Sequence, residues 1–462
     1  MEQLALKDPK VIEERKEFIS TKGAQKQQVK CDEDSVAGSI SQRACVFCGA
    51  RVVLNPITDA IHLVHGPIGC ASYTWDIRGS LTSGSNHYRN SFSTDMKEKD
   101  VIFGGEKKLA IVIDELVEKY KPKLIFVYST CIVGVIGDDL EAVCKKQAQK
   151  YNIEIIPVQS SGFIGNKSAG YRAACDALLR LIAPAPQEQL TNNGETSQPK
   201  EVKKKSKTIN YLGDFNLAAE AWIIKNYLKE IGVEINVTFT GDSDYVSLKK
   251  APEASLNIIQ CAGSMTYLAK KMEEIYDIPF IHISFLGIED TKESIRKIAR
   301  FFNDPEIEQK AEQLIARELK TIESQLDWYK QKLQGTKAAI YVGGGFKAIS
   351  LLKQFKELGV EVVMVGTQTG RKEEYQTISE LATEGTVILD DANPTELEQF
   401  MTEKGADLLV GGVKERPLAY KLGLAFIDHN HDRKHPLSGF VGAVNFAKEV
   451  YSTVCSPVWK YV

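Results

Sequence analysis

The sequence predicts an α/β protein built of three doubly wound domains with mainly parallel sheets. Apolar runs of strand length recur along the chain, and each is followed by a segment of helical periodicity. That rhythm is the signature of βαβ units with helices on both faces of a sheet. Two interruptions divide it: a polar, lysine-rich stretch after Ile182 and a long helical stretch from Asp304 to Leu333. The resulting domains are Rossmann-like and run over 31–183, 208–334 and 335–462, with an N-terminal extension at 1–30 and a flexible linker at 184–207.

In the first domain the strands are Leu124–Tyr128 and Ile153–Val158, with helical periods at Leu109–Lys119, Asp139–Lys150 and Ala169–Ile182. The linker is rich in Pro, Gln, Glu, Asn and Ser, carries the run Lys203, Lys204 and Lys205, and has almost nothing to bury. The second domain reads as strands Thr208–Leu212, Glu234–Phe239 and Leu256–Ile259, with helices over Ala218–Ile231 and Tyr267–Tyr276. The third reads as strands Ala338–Val342, Glu361–Val365, Thr386–Leu389 and Asp407–Val410, with a helix over Ser350–Leu358. A chain of 462 residues suits three domains of about 150 residues each.

Composition narrows the function. A net charge of −3 with 26% charged residues leaves no electrostatic footprint for nucleic acid. The first 26 residues are charged throughout, without the apolar core of a signal peptide, and no apolar run reaches the ~20 residues of a membrane span. The expectation is a cytoplasmic protein with neither a nucleic-acid nor a membrane partner.

Nine cysteines in a long chain from a reducing compartment do not form a disulfide framework. Cys144 and Cys175 fall in helical periods and read as buried packing, as does Cys455; Cys31 reads as a free thiol. Cys45, Cys70 and Cys131 differ, because each stands at the edge of a glycine-containing turn. Three thiolates fall one short of the four that a tetrahedral metal site or a cubane cluster takes, which points to a fourth ligand from another chain. Cys48 completes a Cys-x-x-Cys pair with Cys45 and is a candidate second member of a metal pair. His62 and His65 read as donors around such a site rather than as ligands.

Ligands of open parallel sheets bind beyond the carboxyl ends of strands. Cys131 and Cys261 follow strands directly, and the turns Gly343–Gly345 and Gly411–Gly412 follow two more. Glycine also serves βα turns that bind nothing, so these turns alone do not decide. None of them is a phosphate loop, and no Ser/His/Asp or Cys/His arrangement for hydrolysis stands out.

Several segments carry a resemblance: His62–Cys70, Thr94–Gly105, Gly134–Asp139, Gln260–Met265, Lys414–Arg416 and Gly439–Gly442. In this order, from Cys45 to Trp459, they resemble the α-type subunits of the nitrogenase superfamily. The family's catalytic subunit holds its iron–molybdenum cofactor by one Cys and one His. Here the Cys position matches Cys261 and the His position matches Asn430, beside His429 and His431. A neutral amide is a far weaker metal ligand than imidazole. Tyr171 stands where the family has a His that serves substrate protonation, Lys347 replaces an Arg after the Gly-Gly turn, and Arg78 is kept. Tyrosine, titrating near pH 10, cannot shuttle protons at neutral pH as histidine does.

These departures imply a cofactor-assembly member of the superfamily. It is expected to hold an eight-iron cofactor precursor while molybdenum and homocitrate are added, and then to release it. Cys261 would anchor the precursor, with Asn430, Arg78, Lys347, Tyr171, His429 and Lys414 as weaker contacts. The resemblance implies an α2β2 heterotetramer with NifN, sharing a 4Fe-4S cluster held here by Cys45, Cys70 and Cys131. NifB would donate the precursor, NifH would support maturation, and the apo nitrogenase molybdenum–iron protein would accept the product. The alternatives are the catalytic α subunit of a divergent nitrogenase and a tetrapyrrole reductase subunit of the same fold.

Overall fold

Fourteen strands appear in a computed structural model, which describes residues 15–23, 29–31, 43–74, 80–83, 90–182, 205–429 and 433–460. In chain order they are β1 (Ile19–Thr21), β2 (Ile61–His65), β3 (Ser91–Ser93), β4 (Leu124–Ser129), β5 (Glu154–Val158), β6 (Thr208–Asp214) and β7 (Glu234–Thr240). Then come β8 (Leu256–Ile259), β9 (Phe280–His282), β10 (Lys337–Val342), β11 (Glu361–Thr367), β12 (Val387–Asp390), β13 (Leu408–Gly411) and β14 (Ala425–Asp428). They form three sheets, ordered β3-β2-β4-β5, β7-β6-β8-β9 and β1-β12-β11-β10-β13-β14. All pairings are parallel except that of β1 with β12. The α/β architecture with mainly parallel sheets is therefore the one observed.

The sheets are distributed over two compact units. One comprises Ala44–Ser284 and Glu293–Leu314 and contains the first two sheets. Its hydrophobic core is continuous between them, running from Leu124, Phe126 and Tyr128 through Leu54 and Ile57 to Leu212, Phe239 and Met265. The helix Val46–Leu54 has all nine residues buried, as befits a helix that is apolar on every side. It lies against the helix Lys167–Ile182 with Gly49 and Gly170 facing each other, and a Cβ built on Gly170 would stand 2.8 Å from the Gly49 Cα. The Thr240 hydroxyl donates to the Val53 carbonyl and the Thr58 amide to the Ser243 carbonyl, tying this helix and its following turn to the second sheet.

The other unit comprises Met1–Arg43, Phe285–Lys292 and Ile315–Val462 and contains the third sheet. Part of the segment expected to be an N-terminal extension is built into that sheet. β1 pairs antiparallel with β12, and Arg15 places Nε 2.6 Å from Glu396 Oε1 while its Nη2 donates to the Asp390 carbonyl at 2.6 Å. Arg43 Nη2 reaches Asp390 Oδ2 at 3.2 Å. Burial drives the Asp390 carboxyl up to about 7 despite these partners. The long helix expected from Asp304 runs over Pro305–Leu333. Among the described residues no helix is long and apolar enough to cross a membrane.

Candidate cluster and cofactor site

Each sheet has one place where its strand order reverses, the position beyond whose carboxyl ends open parallel sheets bind ligands. In the first sheet the reversal lies between β2 and β4. β2 leads into the helix Ile68–Thr74, which contains Cys70, and β4 leads into the helix Cys131–Ile136. Cys45 is the N-cap of Val46–Leu54 and bridges to Asn166. Three thiols therefore stand at or near helix N-termini, where backbone N–H groups and the helix dipole favour thiolate.

The three thiols belong to one surface patch. Cys45 and Cys131 are exposed and Cys70 is half-buried. The Gly162 amide donates to Cys131 Sγ at 3.2 Å, and a Cβ at Gly162 would come within 2.8 Å of that sulfur and 3.8 Å of the Cys45 Cβ. Burial raises the Cys70 thiol, and the neighbouring Cys131 and Cys45 sulfurs raise it further. Cys45 is lowered to about 6, first by the Cys48 thiol hydrogen-bonded to it and then by first-turn amides, with burial opposing. Cys48 is buried, and its own thiol is pushed well up by the bond to Cys45 and by burial. Among the described residues no group of three or more His, Cys, Asp and Glu is gathered to hold a metal ion. A four-iron cube is wider than one ion, so its ligands stand further apart. An acidified thiol and two companions on one exposed patch fit three corners of such a cube.

An apolar rim surrounds these sulfurs in sequence. Ile68 and Tyr73 flank Cys70, Val135 lies on the helix that Cys131 starts, and Phe163 and Ile164 follow Gly162; all are exposed, Phe163 to 71%. In the cluster-free chain, iodoacetamide is expected to label Cys45 with a pH midpoint near 6. Cys48→Ala removes the S–H donor and should move that midpoint upward, as mass spectrometry of the labelled peptide will show.

Cys261 lies elsewhere in the same unit. The second sheet reverses between β6 and β8, and Cys261 follows β8 as the N-cap of the helix Ala262–Tyr276, half-buried. Gly213, with φ +86° at the end of β6, leaves it room: a Cβ there would be 2.7 Å from the Cys261 amide nitrogen. Tyr171 is half-buried on Lys167–Ile182 and packs on the core shared with Met265 and Leu268 of the Cys261 helix.

The remaining described site residues lie in the unit of the third sheet, which reverses between β10 and β13. Lys347, in the first turn of the helix Gly345–Leu358, donates Nζ to the His429 carbonyl at 2.9 Å. The His429 amide donates to the Gly411 carbonyl at 3.0 Å. The His429 ring is fully buried, and among the described residues neither nitrogen has a hydrogen-bond partner. Burial above all, then the Lys347 and Arg433 charges, holds it well below the ordinary histidine value, so it is neutral at pH 7. Lys414 is exposed beside buried Glu415, whose carboxyl burial raises to about 7. Arg78, Asn430 and His431 lie outside the described residues.

Of the other thiols, Cys144 and Cys175 are fully buried as their helical settings predict, whereas Cys455 is exposed. It follows the final helix, Gly439–Val454, beyond the last buried turn.

The match to known proteins is extensive. The model of the nitrogenase component 1 type oxidoreductase family matches residues 45–455. The chain belongs to that family. A relative from Clostridium pasteurianum, nitrogenase iron-molybdenum cofactor biosynthesis protein NifE, is 61% identical over 461 residues, covering 99% of this chain and 98% of its own length. The protein of the same name from Methanosarcina barkeri is 55% identical over 98% of this chain and 97% of its own. The solved structure of nitrogenase Cp1 at pH 5 superposes with a TM-score of 0.86 at 31% identity, covering 98% of this chain and 97% of that one. As a nitrogenase component 1 family member, the chain places Cys131 and Cys261 just after strands of a shared fold. Sequence reasoning missed Gly162 and Gly213, whose lack of a side chain is what admits Cys131 and Cys261.

Proposed function

We propose that this chain is a scaffold for assembly of the nitrogenase iron–molybdenum cofactor: it holds an iron–sulfur precursor during insertion of molybdenum and homocitrate and then passes it on. The observation that carries the reading is the division of its thiols into two sites. Three lie on one exposed patch, while Cys261 caps a helix alone at the reversal point of a different sheet. Relatives that cover the whole chain bear the name of a cofactor biosynthesis protein.

At the patch, Cys45, Cys70 and Cys131 hold a 4Fe-4S cluster whose fourth thiolate comes from a NifN partner in an α2β2 assembly. When bound, the cluster supplies electron transfer across the interface. The apolar rim of Ile68, Tyr73, Val135, Phe163 and Ile164 suits burial against that partner. At the second site Cys261 anchors the eight-iron precursor as cargo. Its remaining contacts are weaker, as release requires. NifB is the donor, NifH assists maturation, and the apo nitrogenase molybdenum–iron protein is the acceptor.

The test uses the complex purified anaerobically with its partner. Cys261→Ala should reduce the precursor iron retained while leaving the interfacial cluster's paramagnetic signal intact, and Cys131→Ala should remove that signal. Full precursor retention by Cys261→Ala would overturn the assignment of the anchor.

A further inference from the structure

A directional chain of buried and partly buried hydrogen bonds links the turns that lead to Cys70 and Cys131. The Gly105 amide donates to the Asp138 carboxylate at 3.0 and 3.1 Å. Asp138 Oδ2 lies 3.1 Å from His65 Nε2, and a carboxylate can only accept, so Nε2 carries the proton. His65 Nδ1 then has a lone pair for the Thr94 hydroxyl, at 3.1 Å. Thr94 Oγ1 in turn accepts from the Gly66 amide at 3.1 Å. The Thr130 hydroxyl, N-cap of the helix that begins with Cys131, donates to the His65 carbonyl at 2.9 Å. Every polar atom of the His65 ring is used, and the residue is fully buried.

His62 is differently placed. Its Nδ1 is 2.8 Å from the Tyr128 hydroxyl and its ring stacks on Phe126, so it belongs to the interior of the sheet. His65 stands between the elements that carry two of the three surface thiols: its own chain runs through Gly66 and Pro67 into the Cys70 helix, and Asp138 follows the Cys131 helix directly.

We propose that His65, oriented by Asp138 and Thr94, is a positioning residue that sets the spacing of Cys70 and Cys131 and so tunes the cluster they hold. This rests on the assignment of Cys45, Cys70 and Cys131 as cluster ligands. Groups that orient ligands without touching the metal commonly change its affinity 10–100-fold when removed.

The experiment uses the complex with its partner, produced without a precursor source. Thr94→Val deletes the hydroxyl at nearly constant shape, Asp138→Asn sets an amide against either His65 or Gly105, and Thr94→Ser keeps the hydroxyl. The Val and Asn variants should load wild-type iron, lose the cluster to a chelator about tenfold faster, and show a shifted paramagnetic spectrum; Thr94→Ser should behave as wild type. Wild-type chelation rates and spectra in Thr94→Val and Asp138→Asn would overturn the proposal, as would faster loss that merely follows a lower melting temperature with an unchanged spectrum. Cys131→Ala separates the two levels. Loss of the signal there keeps the ligand assignment whatever His65 does, and a full signal there overturns that assignment instead.

Discussion

Gly170→Ala is expected to destabilise the unit that contains the cysteine patch by about 3 kcal/mol, the upper end of what overpacking costs. The new Cβ would run into the Val46 carbonyl oxygen and stand 2.7 Å from the Ala50 nitrogen and 2.8 Å from the Gly49 Cα. All three obstacles are backbone, so no side chain can swing aside. The helices Val46–Leu54 and Lys167–Ile182 would have to separate, which loosens the contacts of the nine buried residues of the first. Gly49→Ala meets the Lys167 carbonyl from the other side. Because both changes relieve themselves by the same separation, the double variant should lose less than the sum of the singles. Gly263→Ala is the control: a Cβ there meets nothing within 4 Å, and its stability should be unchanged or slightly raised. Urea unfolding of the four variants measures the order.

How much of this was legible in the sequence depended on range. Strands buried on both faces announce themselves as unbroken apolar runs, so β4, β8 and β10 lie within a residue of their predicted positions. The three-residue edge strands β1, β3 and β9 are too short to show a period. β2 was hidden differently: Ile61–His65 reads as a histidine motif, yet all five residues are buried and its two histidines alternate in role. Cys70, Cys131 and Cys261 were legible because a strand, a glycine-containing turn and a thiol lie close together in sequence. The partners of His65 were not, since Thr94 and Asp138 are 29 and 73 residues away, and no local pattern encodes a hydrogen bond across that distance. Arg15 shows the same limit at larger scale, reading as one charge among many although Glu396, its partner, is 381 residues on.

Gly213→Ala is expected to cost about 3 kcal/mol and, in the complex, to reproduce the loss of precursor retention proposed for Cys261→Ala. Two costs combine. Gly213 has φ +86° at an irregularity in the β6–β7 ladder between Leu212 and Asp214, a conformation that burdens an L side chain by about 1–2 kcal/mol. A Cβ there would also lie 2.7 Å from the Cys261 nitrogen and 2.8 Å from its Cβ, and overpacking of that kind adds about 1–3 kcal/mol. Relief of the clash moves the N-cap of Ala262–Tyr276, and with it the one thiol at that strand end. Gly213→Asn separates the two costs, because asparagine tolerates positive φ better than alanine but carries the same Cβ. If crowding dominates, Asn and Ala should lose stability and precursor retention equally; if strain dominates, Asn should recover part of both. In either variant the interfacial cluster signal should persist, since Cys45, Cys70 and Cys131 belong to other helices. Full precursor retention at lowered stability would show that Cys261 does not depend on the space Gly213 leaves.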